Sequence, residues 1–91
     1  MNREAYRLLR FLARLNKELS IYDLVEEYAK HLNEDPQQIF NELMRYLNYL
    51  ASLNFVSMKM REGEDGSETY ISITPDGEQY VRLRGEERER E

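Results

Sequence analysis

The chain contains no cysteine, so it can build neither a disulfide framework nor a thiolate metal centre. Its single histidine, His31, cannot assemble a zinc site alone. No apolar run approaches the roughly 20 residues that a membrane-spanning helix needs. The opening Met1-Asn2-Arg3-Glu4 lacks the apolar stretch of a secretory signal, which points to the cytoplasm. Bases are in the minority: 13 Lys and Arg stand against 18 Asp and Glu, a net charge of −5. That balance argues against a chain that coats nucleic acid indiscriminately. Carboxylates are plentiful, but none falls where the pattern places a pocket. The chain therefore reads as a non-enzyme without metal or cofactor.

What is present suffices for one modest core: 91 residues, 41% apolar and 11% aromatic. From Arg3 to Lys17 the residues Ala5, Leu8, Leu9, Leu12 and Leu15, with Phe11 at the flank, recur at helical spacing. Ser20, with Asp23 three residues on, marks a second helix start, and Ile21, Leu24, Val25, Tyr28 and Leu32 form its inner face. Asp35 caps a third helix, and Pro36 fills its first position, where no N–H is needed. Ile39, Leu43, Tyr46, Leu50 and Leu53 share one side of that helix, with Phe40 and Leu47 at the edge. Gln37, Asn41, Arg45, Asn48 and Ser52 lie opposite.

From Phe55 the period changes to two. Val56, Met58 and Met60 alternate with Ser57, Lys59 and Arg61, and Thr69, Ile71 and Ile73 alternate with Tyr70 and Ser72. Asp65-Gly66 between them is a two-residue hairpin signal. Counting outward from it pairs Met60 with Ile71, Met58 with Ile73, Arg61 with Tyr70 and Lys59 with Ser72, so the two methionines read as core filler. Thr74 and Pro75 open a last short helix, and Gly85 is its expected stop. The result is mainly α with a small β-hairpin (α+β), in the order helix-helix-helix-strand-strand-helix. One domain covers 1–85, and a charged, frayed tail covers 86–91.

Two local runs carry a family likeness. Leu47-Asn48-Tyr49-Leu50-Ala51-Ser52-Leu53-Asn54-Phe55-Val56 places two leucines before a helix-ending residue and two apolar ones. Asn54 stands there where the family has Gly, and Asn tolerates the left-handed φ such an ending needs. Ile73-Thr74-Pro75-Asp76-Gly77 leaves a strand into a Thr-capped helix carrying a Gly. In this order the chain resembles the winged helix-turn-helix superfamily, especially MarR- and PadR-like prokaryotic and archaeal regulators. The resemblance implies a homodimer bound to double-stranded DNA, with residues 36–54 as recognition helix and 59–70 as wing.

Gln37, Gln38, Asn41, Arg45 and Asn48 are the candidate base readers: amides pair bidentately with adenine, and arginine with guanine, across the major groove. A solvated helix face has the same composition. Arg3, Arg7, Arg10, Arg14 and Lys17 recur every three or four residues and form a basic stripe opposite the first helix's core face. Arg10 and Arg14, with Lys59 and Arg61 at the wing base, are the candidate phosphate contacts. The wing tip points the other way. Glu62, Glu64, Asp65 and Glu68 put four acids and no base where minor-groove wings carry Arg or Lys. A winged helix that docks on protein is therefore the rival reading. Tyr22 and Tyr49 lie off the core faces and suit an interface. His31 reads as a cation near its helix's C-terminus.

Overall fold

The computed structural model describes residues 1–90, with side chains described through Gly85. The elements are α1 (Arg3–Leu15), β1 (Leu19–Ser20), α2 (Ile21–Leu32), α3 (Pro36–Ser52), β2 (Val56–Gly63), β3 (Gly66–Ile73) and α4 (Pro75–Arg90). Short polar caps begin the helices: Asn2 Oδ1 accepts from Ala5 N at 2.7 Å, Ser20 Oγ from Asp23 N at 3.2 Å, and Asp35 Oδ1 from Gln37 N at 2.9 Å. Asparagine ends three of them, with φ of 46° at Asn16, 56° at Asn33 and 63° at Asn54. At Asn54 the pattern is a complete Schellman motif, because Phe55 N donates to Leu50 O and Asn54 N to Ala51 O, both at 3.0 Å. Asn54 thus supplies the left-handed residue that ends α3.

Two helix ends depart from expectation. Asn16 stops α1 early, so Lys17 lies outside the helix and the basic stripe on it comprises Arg3, Arg7, Arg10 and Arg14. α4 continues through Gly85, which does not adopt the positive φ that would end it. The side chains of the expected tail, 86–91, lie outside the described residues.

The core forms where the inner faces of α1, α2 and α3 meet β3. Leu8, Leu9, Leu12, Leu24, Leu43, Leu47, Leu50 and Ile71 are fully buried there. Each contributes about 1.5–3 kcal/mol by leaving water. Leu47 belongs to the centre of this face rather than its edge, whereas Leu53, beyond the last turn of α3, is 40% exposed.

The sheet has three strands in the order β1-β3-β2, all antiparallel. β1, read from sequence only as a helix cap, pairs Leu19 with Ile71 and Ser20 with Tyr70. The hairpin register differs by two residues from the expected one. Met58 faces Ile71, Val56 faces Ile73, Lys59 faces Tyr70, Met60 faces Thr69 and Arg61 faces Glu68. The turn residues are Glu64 and Asp65, flanked by the pair Gly63 and Gly66. Neither turn residue has positive φ, whereas Gly66 just after them does, at +113°, so the loop needs one permissive position after it rather than two within it. A shift of two preserves which side chains face the core. It also carries Met60 beyond the helices: Met60 is 73% exposed and is not core filler.

Gly66→Val is expected to cost about 1–3 kcal/mol through backbone strain alone, since a Cβ there meets nothing within 4 Å. Urea denaturation checks this, and an unchanged midpoint would rule the strain out.

Candidate nucleic-acid interface

α3 is fixed on the core by Ile39, Leu43, Leu47 and Leu50, which fall on one side and are buried. That geometry leaves Gln37, Gln38, Asn41, Arg45 and Asn48 exposed on the other. None of these five side chains hydrogen-bonds or ion-pairs with another described residue. The face is therefore a row of uncommitted amides around one guanidinium, held on a helix capped at both ends. Such a helix can present its donors and acceptors without first breaking internal contacts.

At the wing, Lys59 and Arg61 stand on the strand face away from the core, with Tyr70 and Glu68 as cross-strand partners. Arg61 is engaged. Its Nη1 lies 2.7 Å from Glu18 Oε1, and its guanidinium sits 4.7 Å from the centre of the Tyr70 ring. The Tyr70 hydroxyl donates to Glu68 Oε2 at 2.9 Å, and this bond to a carboxylate raises the phenol above its usual pKa. Lys59 is exposed and has no such partner among the described residues. The tip acids Glu62, Glu64, Asp65 and Glu68 are all exposed.

Arg10 and Arg14 are brought together with Arg7, Phe11 and His31 around a hollow of about 140 Å³. No α3 residue lines it. The His31 ring lies 5.0 Å from that of Phe11 and stacks on that of Tyr28 at 6.0 Å, so it packs against aromatics at the end of α2. Arg7 also lines a neighbouring hollow of about 220 Å³, together with Glu4, Glu34, Glu42, Tyr28 and Tyr46. Burial pushes the Tyr28 phenol up to about 12, against the opposing field of Arg7. Tyr46 is raised as well, by desolvation and then by Glu42 and Glu4. Both phenols are hydrogen-bond donors at neutral pH, not bases.

A third hollow, of about 430 Å³, opens between the N-terminal ends of α2 and α3, lined by Tyr22, Val25, Glu26, Pro36, Gln37 and Phe40. It adjoins the amide face through Gln37. Tyr22, 66% exposed, was legible as an off-core aromatic, whereas Phe40, 39% exposed, read as the core's edge. No group of three His, Cys, Asp or Glu among the described residues could hold a metal ion. No described helix is long and apolar enough to cross a membrane.

Three helices, a three-stranded sheet ending in a projecting hairpin, and a closing helix define a winged helix-turn-helix domain. The crystal structure of a PadR family transcriptional regulator from Eggerthella lenta DSM 2243 is similar to it. The two align with a TM-score of 0.75 and 20% identity, over 93% of this chain and 73% of that one. At that identity the likeness is one of fold. No protein-family profile and no curated protein matches the sequence.

Proposed function

We propose that the protein is a DNA-binding transcription regulator that lays α3 in the major groove as a homodimer. The observation that carries this reading is the uncommitted amide-and-arginine face of α3, in a fold shared with a protein described as a transcriptional regulator. Gln37, Gln38, Asn41, Arg45 and Asn48 would read base edges, and Lys59 would hold the backbone. Arg61 contributes less, because it must leave Glu18 before it can meet a phosphate. Arg10 and Arg14, around a hollow that no α3 residue lines, would be weaker phosphate contacts set apart from the base-reading face. For the dimer, Leu83 on α4 is the available apolar contact, at 48% exposed. Tyr6 and Tyr80 are occupied inside the chain, edge to face at 6.2 Å.

The acidic tip favours the second reading, a domain that docks on protein. Fluorescence anisotropy with random and selected duplexes at two salt concentrations separates the two. A regulator binds both at low salt and keeps the selected duplex as salt rises. A docking domain binds neither. Under the first reading, Glu64→Lys with Asp65→Lys strengthens binding to every duplex at least severalfold at low salt. The added lysines meet phosphate where acids repelled it, and each new contact steepens the salt dependence by about 0.9. No gain in affinity would place the tip away from DNA.

A further inference from the structure

We propose that the acidic wing tip of one copy docks into the arginine hollow of a second copy. Two surfaces of opposite sign stand unsatisfied on the same molecule. Arg3, Arg7, Arg10 and Arg14 line one side of α1, and none has a carboxylate within ion-pairing distance among the described residues. Three of them converge with Phe11 and His31 on a space of about 140 Å³, which suits a carboxylate side chain. Guanidinium groups grip carboxylates bidentately, so a carboxylate entering here meets several donors at once. Arg10 and Arg14 are like charges one turn apart on α1 and repel one another, whereas Arg7 also lines the neighbouring hollow with Glu4, Glu34 and Glu42.

The matching anion is on the wing. Glu62, Glu64 and Asp65 lie at or beside the turn, exposed and without an ion-pair partner among the described residues, and Glu68 is held only by Tyr70. The tip projects past the helices, as the 73% exposure of Met60 on the core-facing side of β2 records. It makes no ion pair with an arginine of its own chain among the described residues. The projecting acids and the basic hollow are complementary in sign, so a second copy is the occupant that satisfies both. The contact joins two different surfaces. It closes when two copies exchange wings and runs head to tail when they do not. It does not use α3, so its failure is distinguishable from failure of the base-reading face.

Sedimentation velocity of the full chain tests it. Self-association is expected at about 50 mM salt and should weaken at least tenfold by about 0.5 M, where exposed charges are screened. Arg10→Glu with Arg14→Glu, and separately Glu64→Arg with Asp65→Arg, should each abolish the salt-sensitive association while circular dichroism stays unchanged. An equimolar mixture of the two variants should regain it, because every contact then again joins opposite charges. Wild type without salt-sensitive association overturns the proposal. So does either folded variant associating as wild type does, or a mixture that fails to recover. Inorganic phosphate that raises Tm through Arg10 and Arg14, with self-association indifferent to the wing variants, would make the hollow a small-anion site and also overturn it.

Discussion

Gly77→Ala is expected to destabilise the domain by about 3 kcal/mol or more, the upper end of what overpacking costs. A Cβ at Gly77 would overlap the carbonyl oxygen of Phe55 and come within 2.9 Å of Ile73 Cγ1. The first obstacle is backbone, and it is tied down, since Phe55 O accepts from Thr74 N at 3.0 Å. Thr74 Oγ1 donates to Asn54 O at 2.6 Å while accepting from Gly77 N at 3.0 Å. Asn54 Nδ2 donates in turn to Asp76 Oδ2 at 3.1 Å. The end of α3 and the start of α4 are thus one hydrogen-bonded corner, and relief of the clash would break it. For a domain this small the melting temperature should fall by roughly 12–24 °C, at 4–8 °C per kcal/mol. Gly85→Ala is the control on the same helix. Its Cβ would meet nothing within 4 Å, so the substitution should stabilise by up to about 1 kcal/mol through helix propensity alone. Calorimetry on both variants checks the pair, and equal effects would refute the account.

That corner shows where sequence reading succeeds and where it stops. The Thr-Pro-Asp-Gly run could be matched to a family pattern, and Asn54 to a helix ending, from residue types alone. The reason for the glycine could not. It lies in Phe55 O, 22 residues away, and no local pattern encodes that approach. Helix existence was legible because caps and apolar spacing act within one turn, as Ser20, Asp35 and Thr74 illustrate. The helix ends at Asn16 and Gly85 were less so, because a left-handed φ is permitted by residue type but decided by context.

The hairpin erred in a telling way. Alternation fixes which side chains share a face, and a shift of two keeps that parity, so Met58 and Ile71 remain on the core side in either register. Only turn geometry separates the two. β1 left no signal, since two residues have no period, and Leu19-Ser20 already made sense as a cap. In the candidate site, the α3 face was legible because burial of one side of a helix dictates the other. The commitment of Arg61 to Glu18 was not, because it joins residues brought near only by the pairing of β1 with β3.

Arg45→Ala should cost about 1–3 kcal/mol of binding to a selected duplex, roughly 5- to 150-fold in Kd, and little on a random one. The asymmetry follows from its place. Arg45 is exposed midway along α3 and makes no ion pair or hydrogen bond with a described residue, so removing it leaves the fold intact. If α3 enters the groove, this guanidinium is the one group on the reading face able to grip both acceptors of a guanine edge. The flanking Gln37, Asn41 and Asn48 are suited instead to adenine. Loss of Arg45 therefore lowers the preference for the selected site more than it lowers affinity for DNA at large. Arg10→Ala with Arg14→Ala is the counterpart, since those residues stand around a hollow that no α3 side chain lines. It should leave discrimination between the duplexes unchanged, because contacts outside the base edges carry no sequence information. Anisotropy titrations of wild type and both variants on the two duplexes decide the matter. If Arg45→Ala weakens both duplexes equally, the residue holds phosphate rather than base. If wild type binds neither duplex at low salt, α3 presents its amides to a protein, and the regulator reading ends.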